Sequence, residues 1–345
     1  MNWSLLWTLV LTLTTSVLSS LLFLKYFRKL GLKKTEQSNQ VRWSNQPKPT
    51  IGGLGMMIAY VSGATLLWVL NQNEVVMYLA IPLFFAAVVG LIDDLKAVKA
   101  LLKLFMQLLC GILLVTFDFG FQTFLPDVVD AGLSIFWTVL IMNSINMLDN
   151  MDGISGVVSM LVFLLVSLLL LPFAIHDPAR MLNLLLCIIC FGFLFFNKPN
   201  SKMYMGDAGS QFIGVALAWS TMMLVSIDGL FENHYVSIWS VIVLLLPSLA
   251  DTCLVVVNRL RFKTSPFLGG RDHSTHNFAY LGLSGRNVFL LFGALSTFGA
   301  WLVYKIQTGS TNLFLYISVT YVVAYLFLVF KASAINLKNK KYTYS

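Results

Sequence analysis

The chain has 345 residues, 58% of them hydrophobic and 11% charged, with a formal net charge of +8 and a mean hydropathy of +0.80. A soluble domain carries about 25% charged residues, so this composition excludes a soluble globular enzyme and indicates a polytopic helical membrane protein. The apolar segments run on without the alternation of a barrel strand, which excludes the transmembrane β-barrel class.

Eleven apolar stretches of about twenty residues each are predicted as membrane helices. They lie at 4–25, 51–70, 75–92, 101–118, 131–147, 154–173, 180–196, 208–227, 236–257, 287–305 and 313–331. The first run, Trp3 to Leu24, has no basic residue before it. It therefore reads as a retained helix with its N-terminus outside, not as a cleavable leader. Placed that way, the odd-numbered connections and the tail carry 21 of the 23 Lys and Arg residues, and only Arg180 and Lys305 fall outside. Cytoplasmic connections are the ones enriched in positive charge, so the expected topology is N-out and C-in. The predicted fold class is all-α, a transmembrane bundle of about 11 spans over residues 1–335 with a cytoplasmic tail at 336–345.

Polar motifs punctuate the inner ends of these stretches. Gln46-Pro47-Lys48-Pro49-Thr50-Ile51-Gly52-Gly53 is a rigid turn ending in glycines at the mouth of the second stretch. It suits either a substrate groove or close helix packing. The basic loop before it, Phe27 to Lys48, is a topology determinant that also attracts anionic lipid. Asp93-Asp94 closes the third stretch, and Lys96, Lys99 and Lys103 follow on the next turns. Two adjacent carboxylates beside lipid need either a cation or a raised pKa, and both outcomes suit a site.

Asn146, Asp149 and Asp152 are spaced three apart between the fifth and sixth stretches. On a helix Asn146 and Asp149 share a face, while Asp152 falls at a turn before Gly153. Such oxygen donors suit Mg²⁺, which takes a few carboxylates plus substrate phosphates. Met205-Gly206-Asp207-Ala208-Gly209-Ser210 sets a carboxylate between glycines at the start of the eighth stretch. There backbone amides favour phosphate. Gly269-Gly270-Arg271-Asp272-His273-Ser274-Thr275-His276 is polar and basic. Arg271 suits a bidentate phosphate contact, and the His-x-x-His pair suits metal binding or acid–base work. Cys110, Cys187, Cys190 and Cys253 lie in apolar runs and read as small buried hydrophobes. The acids of the outer loops have no clustered partners and read as solvated charges.

Taken together, the Pro-x-x-Gly-Gly turn (Pro49 to Gly53), the Asp93-Asp94 pair, Asn146-x-x-Asp149-x-x-Asp152-Gly153, Gly206-Asp207-x-Gly209-Ser210 and the Asp272–His276 loop occur in a fixed order on one membrane face. In this the chain resembles the polyprenyl-phosphate N-acetylhexosamine-1-phosphate transferases (glycosyltransferase family 4), over nearly the whole membrane region. The resemblance implies a helical bundle with a cytoplasm-facing cleft, apolar on one side for a lipid chain. It implies transfer of HexNAc-1-phosphate, GlcNAc-1-phosphate above all, from a UDP-sugar to undecaprenyl phosphate in the bacterial inner membrane. UMP is released, and the lipid product initiates a cell-envelope polysaccharide such as lipopolysaccharide O-antigen.

Carried over residue by residue, the resemblance gives Asp207 and Asn146 to Mg²⁺, with Mn²⁺ as an alternative ion. Asp93 would help deprotonate the lipid phosphate, with Asp94 beside it at the metal or the acceptor phosphate. Asp149 and Asp152 would hold the nucleotide or metal side. Arg271, His273 and His276 would hold the pyrophosphate, and Lys48 and Lys103 would contact substrate. Direct transfer and an aspartyl-phosphate route both stay open. The expected partners are the polyprenyl phosphate, the UDP-sugar and the membrane, with no nucleic acid, and a homodimer stays open.

The chain departs from the family pattern at three places. Asn150 stands where relatives often have Gly, Thr275 where the loop often has a middle His, and Asn277 where Arg is frequent. The branch acting on MurNAc-pentapeptide usually has three consecutive His, which this chain lacks. A transporter or flippase would place its ionisable groups nearer the midplane. A CDP-alcohol phosphotransferase would need a different acidic motif, and an inactive scaffold would not need the acids that are present here.

Overall fold

The computed structural model describes residues 3–26, 48–96, 98–173, 177–266, 269–309, 311–339 and 341. Most of the basic first loop and the Gln46-Pro47 start of the first motif lie outside them. Among the described residues the regular structure is all helical. In chain order it comprises α1 (Trp3–Tyr26), α2 (Gly52–Asn71), α3 (Glu74–Leu95), α4 (Ala100–Thr116), α5 (Asp127–Leu148), α6 (Ile154–Leu169) and α7 (Asp177–Asn197). There follow α8 (Gly206–Ser226), α9 (His234–Leu244), α10 (Leu246–Arg261), α11 (Ser274–Tyr280), α12 (Gly285–Thr308) and α13 (Thr311–Lys338).

All eleven predicted stretches are helical, but they are not eleven full-length helices. Eight of the described helices are long and apolar enough to cross a membrane, and the bent pair α9–α10 would make a ninth. The other two stretches form α4, with 17 residues, and α6, with 16. Local chemistry ends both early. Beyond α4 the chain turns at Asp118 with φ 57°, and Pro172 follows the end of α6. The stretch at 236–257 bends by 75° between α9 and α10. Pro247 lies in the first turn of α10, where its missing N–H and ring break the ladder with α9.

Helix α8 is the centre of the bundle. It is buried along all its residues except Met223 and Ser226, and it packs against α2, α3 and α5. Between membrane helices the hydrophobic effect gives no drive, so close backbone approach and interhelical hydrogen bonds carry the packing. Small residues allow that approach, as where Gly53 of α2 meets Gly209 of α8. Hydrogen bonds join Thr15 to Ser62 (2.8 Å), Ser220 to Asn183 (2.8 Å) and Trp239 to Ser318 (2.7 Å). On the outer helices, Trp7, Leu22, Tyr316, Val323 and Phe327 are exposed, as a lipid-facing surface requires.

Helix α3 also crosses closely over the start of α8. A Cβ placed on Gly90 would lie 2.3 Å from the carbonyl oxygen of Asp207, a backbone atom that cannot step aside. Gly132 in α5 has nothing within 4 Å of such a Cβ. Gly→Ala in a helix normally gains about 0.5–1 kcal/mol, so Gly132→Ala should hold or raise the melting temperature in detergent. Gly90→Ala should lower it, with an overpacking cost of about 1–3 kcal/mol. Equal melting temperatures for the two variants would refute the close crossing.

Candidate active site

The site is built from helix ends. Asp94, buried at the C-terminal end of α3, accepts the backbone N–H of Asp207 (3.0 Å) and of Ala208 (2.9 Å). Those are free donors of the first turn of α8, so one carboxylate caps that helix and meets the positive end of its dipole. Gly206 lies against this contact with φ 76°. A Cβ there would be 2.6 Å from Asp94 Oδ2. The residues of the Pro-x-x-Gly-Gly turn pair by backbone hydrogen bonds with the segment that enters α8. Tyr204 N donates to Pro49 O (2.9 Å), Gly52 N to Tyr204 O (3.1 Å) and Gly53 N to Met205 O (2.9 Å). The turn therefore serves the close packing of α2 on α8.

The cap brings Asp93 and Asp207 to one place. The Lys103 ammonium, on α4, spans them at 3.0 Å from Asp93 and 3.1 Å from Asp207. Asp93 also accepts the Val98 N–H (3.0 Å). From α5, Asn146 Nδ2 donates to Asp207 (2.6 Å) and to Ser210 Oγ (2.8 Å). One turn deeper lies a layer of carboxamides, in which Gln107 donates to Gln211 (3.0 Å) and Asn143 to Gln107 (2.9 Å). Sequence reasoning missed this layer. Its signal was helical spacing, since Gln107 and Gln211 lie four residues after Lys103 and Asp207, and Asn143 three before Asn146.

A second knot holds Asp152. Ser201 donates to it from both N (3.1 Å) and Oγ (2.7 Å), and Lys48 lies 3.2 Å from it. Lys48 also donates to Ser201 Oγ (2.9 Å) and lies 5.2 Å from the centre of the Tyr204 ring. Nearby, Ser155 donates to Asp149 (2.6 Å). The knot ties the entry of α2, the α5–α6 turn and the α7–α8 loop together.

The histidine loop is clamped by α10. Arg259 grips Asp272 through Nε (2.8 Å) and NH2 (2.7 Å), and its NH1 donates to Pro266 O (2.9 Å). Asp251 accepts from His273 Nδ1 (2.8 Å), Ser274 N (2.7 Å) and Ser274 Oγ (2.6 Å). The rings of His273 and His276 meet edge to face at 5.4 Å. From α13, Asn336 donates to the backbone and side-chain oxygens of Asn277 (both 2.9 Å). Thr275 donates to Asn150 and so ties the loop to the α5–α6 turn. Arg271, at the entry to the loop, is half-buried. Neither Asp251 nor Arg259 was singled out from sequence. A carboxylate inside an apolar run was the available signal for Asp251, whereas Arg259 looked like one more cytoplasmic cation.

Thus Asp93, Lys103, Asn146 and Asp207 form one cluster, Lys48 and Asp152 a second, and Asp272, His273 and His276 a third. Among the described residues no three His, Cys, Asp or Glu side chains gather as a metal cage. Asp207 and Asn146 are hard oxygen-bearing groups in direct contact, with Asp93 across Lys103. That donor set fits Mg²⁺, which keeps open positions for water and phosphate, and it does not fit a closed thiolate or imidazole site. Cys110, Cys187 and Cys190 are buried thiols without disulfides, whereas Cys253 is exposed, contrary to the expected burial. It lies on the opposite face of α10 from the buried Asp251, Leu254 and Val255.

Two groups in the loop titrate abnormally. Burial, with His273 and Arg271 nearby, holds His276 well below the usual 6.5. Burial alone would raise Asp272, but the Arg259 hydrogen bonds, together with His273, bring it below its ordinary 3.8. A group depressed in the folded state contributes stability that is complete above its ordinary value and lost as pH falls through the depressed one. The melting temperature should therefore drop as pH is lowered from about 7 towards 5, where His276 is the group concerned. His276→Asn should flatten that drop, and an unchanged slope in the variant would refute the assignment.

The model of the family described as "Glycosyl transferase family 4" matches residues 75–225, which include Asp93, Asp94, Lys103, Asn146, Asp149, Asp152 and Asp207. A probable undecaprenyl-phosphate N-acetylglucosaminyl 1-phosphate transferase of Bacillus subtilis is 26% identical over 326 residues, 89% of this chain and 88% of the relative. A decaprenyl-phosphate N-acetylglucosaminephosphotransferase of Mycolicibacterium smegmatis is 30% identical over 299 residues, 73% of this chain and 72% of the relative. A phospho-N-acetylmuramoyl-pentapeptide-transferase of Prochlorococcus marinus is 25% identical over 330 residues, 86% and 84% of the two chains. With its acids gathered at the helix ends and relatives that extend over most of its length, the chain belongs to glycosyl transferase family 4.

Proposed function

We propose that the protein transfers a HexNAc-1-phosphate, with GlcNAc-1-phosphate as the first candidate, from a UDP-sugar to undecaprenyl phosphate at the cytoplasmic face of a bacterial inner membrane. The observation that carries this reading is the Lys103 ammonium between Asp93 and Asp207, with Asn146 2.6 Å from Asp207. Paired charges at the ends of long apolar helices suit a charged lipid headgroup as the substrate. Phosphoryl transfer needs positioning and charge neutralisation more than covalent protein chemistry. The names of the Bacillus and Mycolicibacterium relatives support a polyprenyl phosphate acceptor and a GlcNAc donor. Thr275 between the two histidines weighs against a MurNAc-pentapeptide donor. The concentration of Lys and Arg on one side supports the N-out, C-in topology of eleven segments.

In the reaction, an oxygen of the lipid phosphate attacks the β-phosphorus of the UDP-sugar. The bond from that phosphorus to the bridging oxygen breaks, and UMP leaves with the electron pair. The product is a lipid pyrophosphoryl sugar, the starting unit of a cell-envelope polysaccharide, with O-antigen among the candidates. Asp93 takes the remaining proton of the acceptor phosphate. Lys103 is poised to donate to phosphate oxygens, and Arg271, His273 and His276 take the pyrophosphate. Asp149 serves the nucleotide side. Asp94 and Asp152, whose oxygens are engaged by α8 amides and by Ser201 and Lys48, hold the frame. Mg²⁺ held by Asp207 and Asn146 would neutralise pyrophosphate charge.

The test is transfer of label from β-³²P UDP-GlcNAc, with UDP-GalNAc in parallel, into lipid-extractable product with UMP release. Wild type should transfer from UDP-GlcNAc only with Mg²⁺ present. Asp207→Asn should lower turnover by at least about 100-fold, on the scale of losing a main electrostatic group, while the melting temperature holds. Wild-type turnover in that variant would sink the metal assignment. No transfer from either donor would sink the GlcNAc reading.

A further inference from the structure

The mechanism above uses His273 but not the group behind it. Asp251 is fully buried, at 0% exposure, and no other charged residue precedes Arg259 on its helix. A carboxylate in such a place persists only if it is paired and hydrogen-bonded. Among the described residues its hydrogen bonds go to the first two residues of the histidine motif. Oδ2 meets His273 Nδ1 at 2.8 Å, and Oδ1 accepts from Ser274 N at 2.7 Å and Ser274 Oγ at 2.6 Å.

We propose that Asp251 is a positioning residue that sets the orientation and tautomer of His273, so that Nε2 is the ring atom presented to a phosphate oxygen of the substrate. This rests on the transferase reading for the role of His273. A carboxylate accepts and cannot donate, so the proton of the neutral ring lies on Nδ1. The same contact stabilises the ring when Nε2 takes a proton from, or hydrogen-bonds to, the phosphate. The Ser274 bonds hold the carboxylate itself in place, so that its second oxygen stays on the ring.

The bend between α9 and α10 makes this reach practicable. Without it, Asp251 would continue along the axis of α9; with it, α10 lies beside the loop and Arg259 grips Asp272 two turns on. Around the pair, the charged or titratable groups are Asp272, Arg259, Arg271 and His276 of the loop and its clamp, and Tyr325 of α13. None of them replaces Asp251 at Nδ1.

The experiment compares Asp251→Asn, Ser274→Ala, His273→Gln and the Asp251→Asn/His273→Gln double variant in the full-length protein. Asp251→Asn should lower kcat by about 10–100-fold, the usual effect of losing a group that orients a histidine, with KM little changed. The double variant should be no slower than His273→Gln. Ser274→Ala removes only the Oγ bond and keeps the Ser274 N–H and His273 contacts with Asp251, so its loss in kcat should be clearly smaller than that of Asp251→Asn. Wild-type kcat in Asp251→Asn, losses that multiply in the double variant, or an equal loss in Ser274→Ala would overturn the proposal.

A second measurement needs no stable Asp251 variant and no turnover. In ¹⁵N-histidine-labelled wild type, with the His273→Gln spectrum assigning the signal, His273 should carry its proton on Nδ1. A neutral ring protonated on Nε2 would overturn the proposal. Absence of transfer by wild type would instead count against the transferase reading, so the two failures are separable.

Discussion

Asp94 holds the first free amides of α8, and that contact governs the geometry around it. Apolar surroundings do not tolerate an unpaired carboxylate, and a buried helix start does not tolerate unpaired N–H groups. Each defect satisfies the other when the C-terminal end of α3 meets the N-terminal end of α8. Gly90 lets the two backbones come that close. The neighbouring residues are then forced together, because Asp93 follows Gly90 by less than a turn and Asp207 is itself one of the capped residues. Two carboxylates so placed need a cation, and Lys103 supplies one from α4. A cluster of paired charges at the helix ends is thus a consequence of how one of those ends is closed.

The histidine loop follows a similar logic with different partners. It carries Arg271, Asp272, His273 and His276 in a short span, and a segment this polar would not by itself hold one shape. Helix α10 gives it an acid at Asp251 and a base at Arg259, each bonded in two or more places. Helix α13 adds Asn336 on Asn277. The clamp is available because Pro247 and the bend redirect α10. A break in the middle of an apolar stretch, which costs hydrogen bonds, is thereby what lets a membrane helix serve a surface loop.

Asn150 and Thr275 illustrate why unusual residues are best considered in pairs. Each departs from the pattern frequent in related chains, and in the structure the Thr275 hydroxyl donates to the Asn150 carboxamide. Changing Asn150 alone would leave the fully buried Thr275 hydroxyl without this partner, a larger cost than the bond itself is worth. The contact also joins the loop to the turn bearing Asp149 and Asp152, which makes the second and third clusters one connected body.

Much of this was legible in the amino-acid order, for local reasons. Long apolar runs can only be helices in hydrocarbon, and polar motifs at their ends mark where those helices meet water, so the all-helical class and the segments were readable without any contact information. The acids at 93, 94, 149, 152 and 207 stood out because charge beside lipid is costly. What depended on tertiary structure was the partnership of each group. Asp94 and Asp152 look like Asp93 and Asp207 in sequence, yet their oxygens are taken by α8 amides and by Ser201 and Lys48. Asp251 and Arg259 were hidden, the one as a lone acid in an apolar run and the other among topology-setting cations. The carboxamides of Gln107, Asn143 and Gln211 come from three separate helices. Periodicity reports which face of a helix a residue occupies, whereas a hydrogen bond across 60 or 100 residues depends on which helix lies opposite, and packing alone decides that.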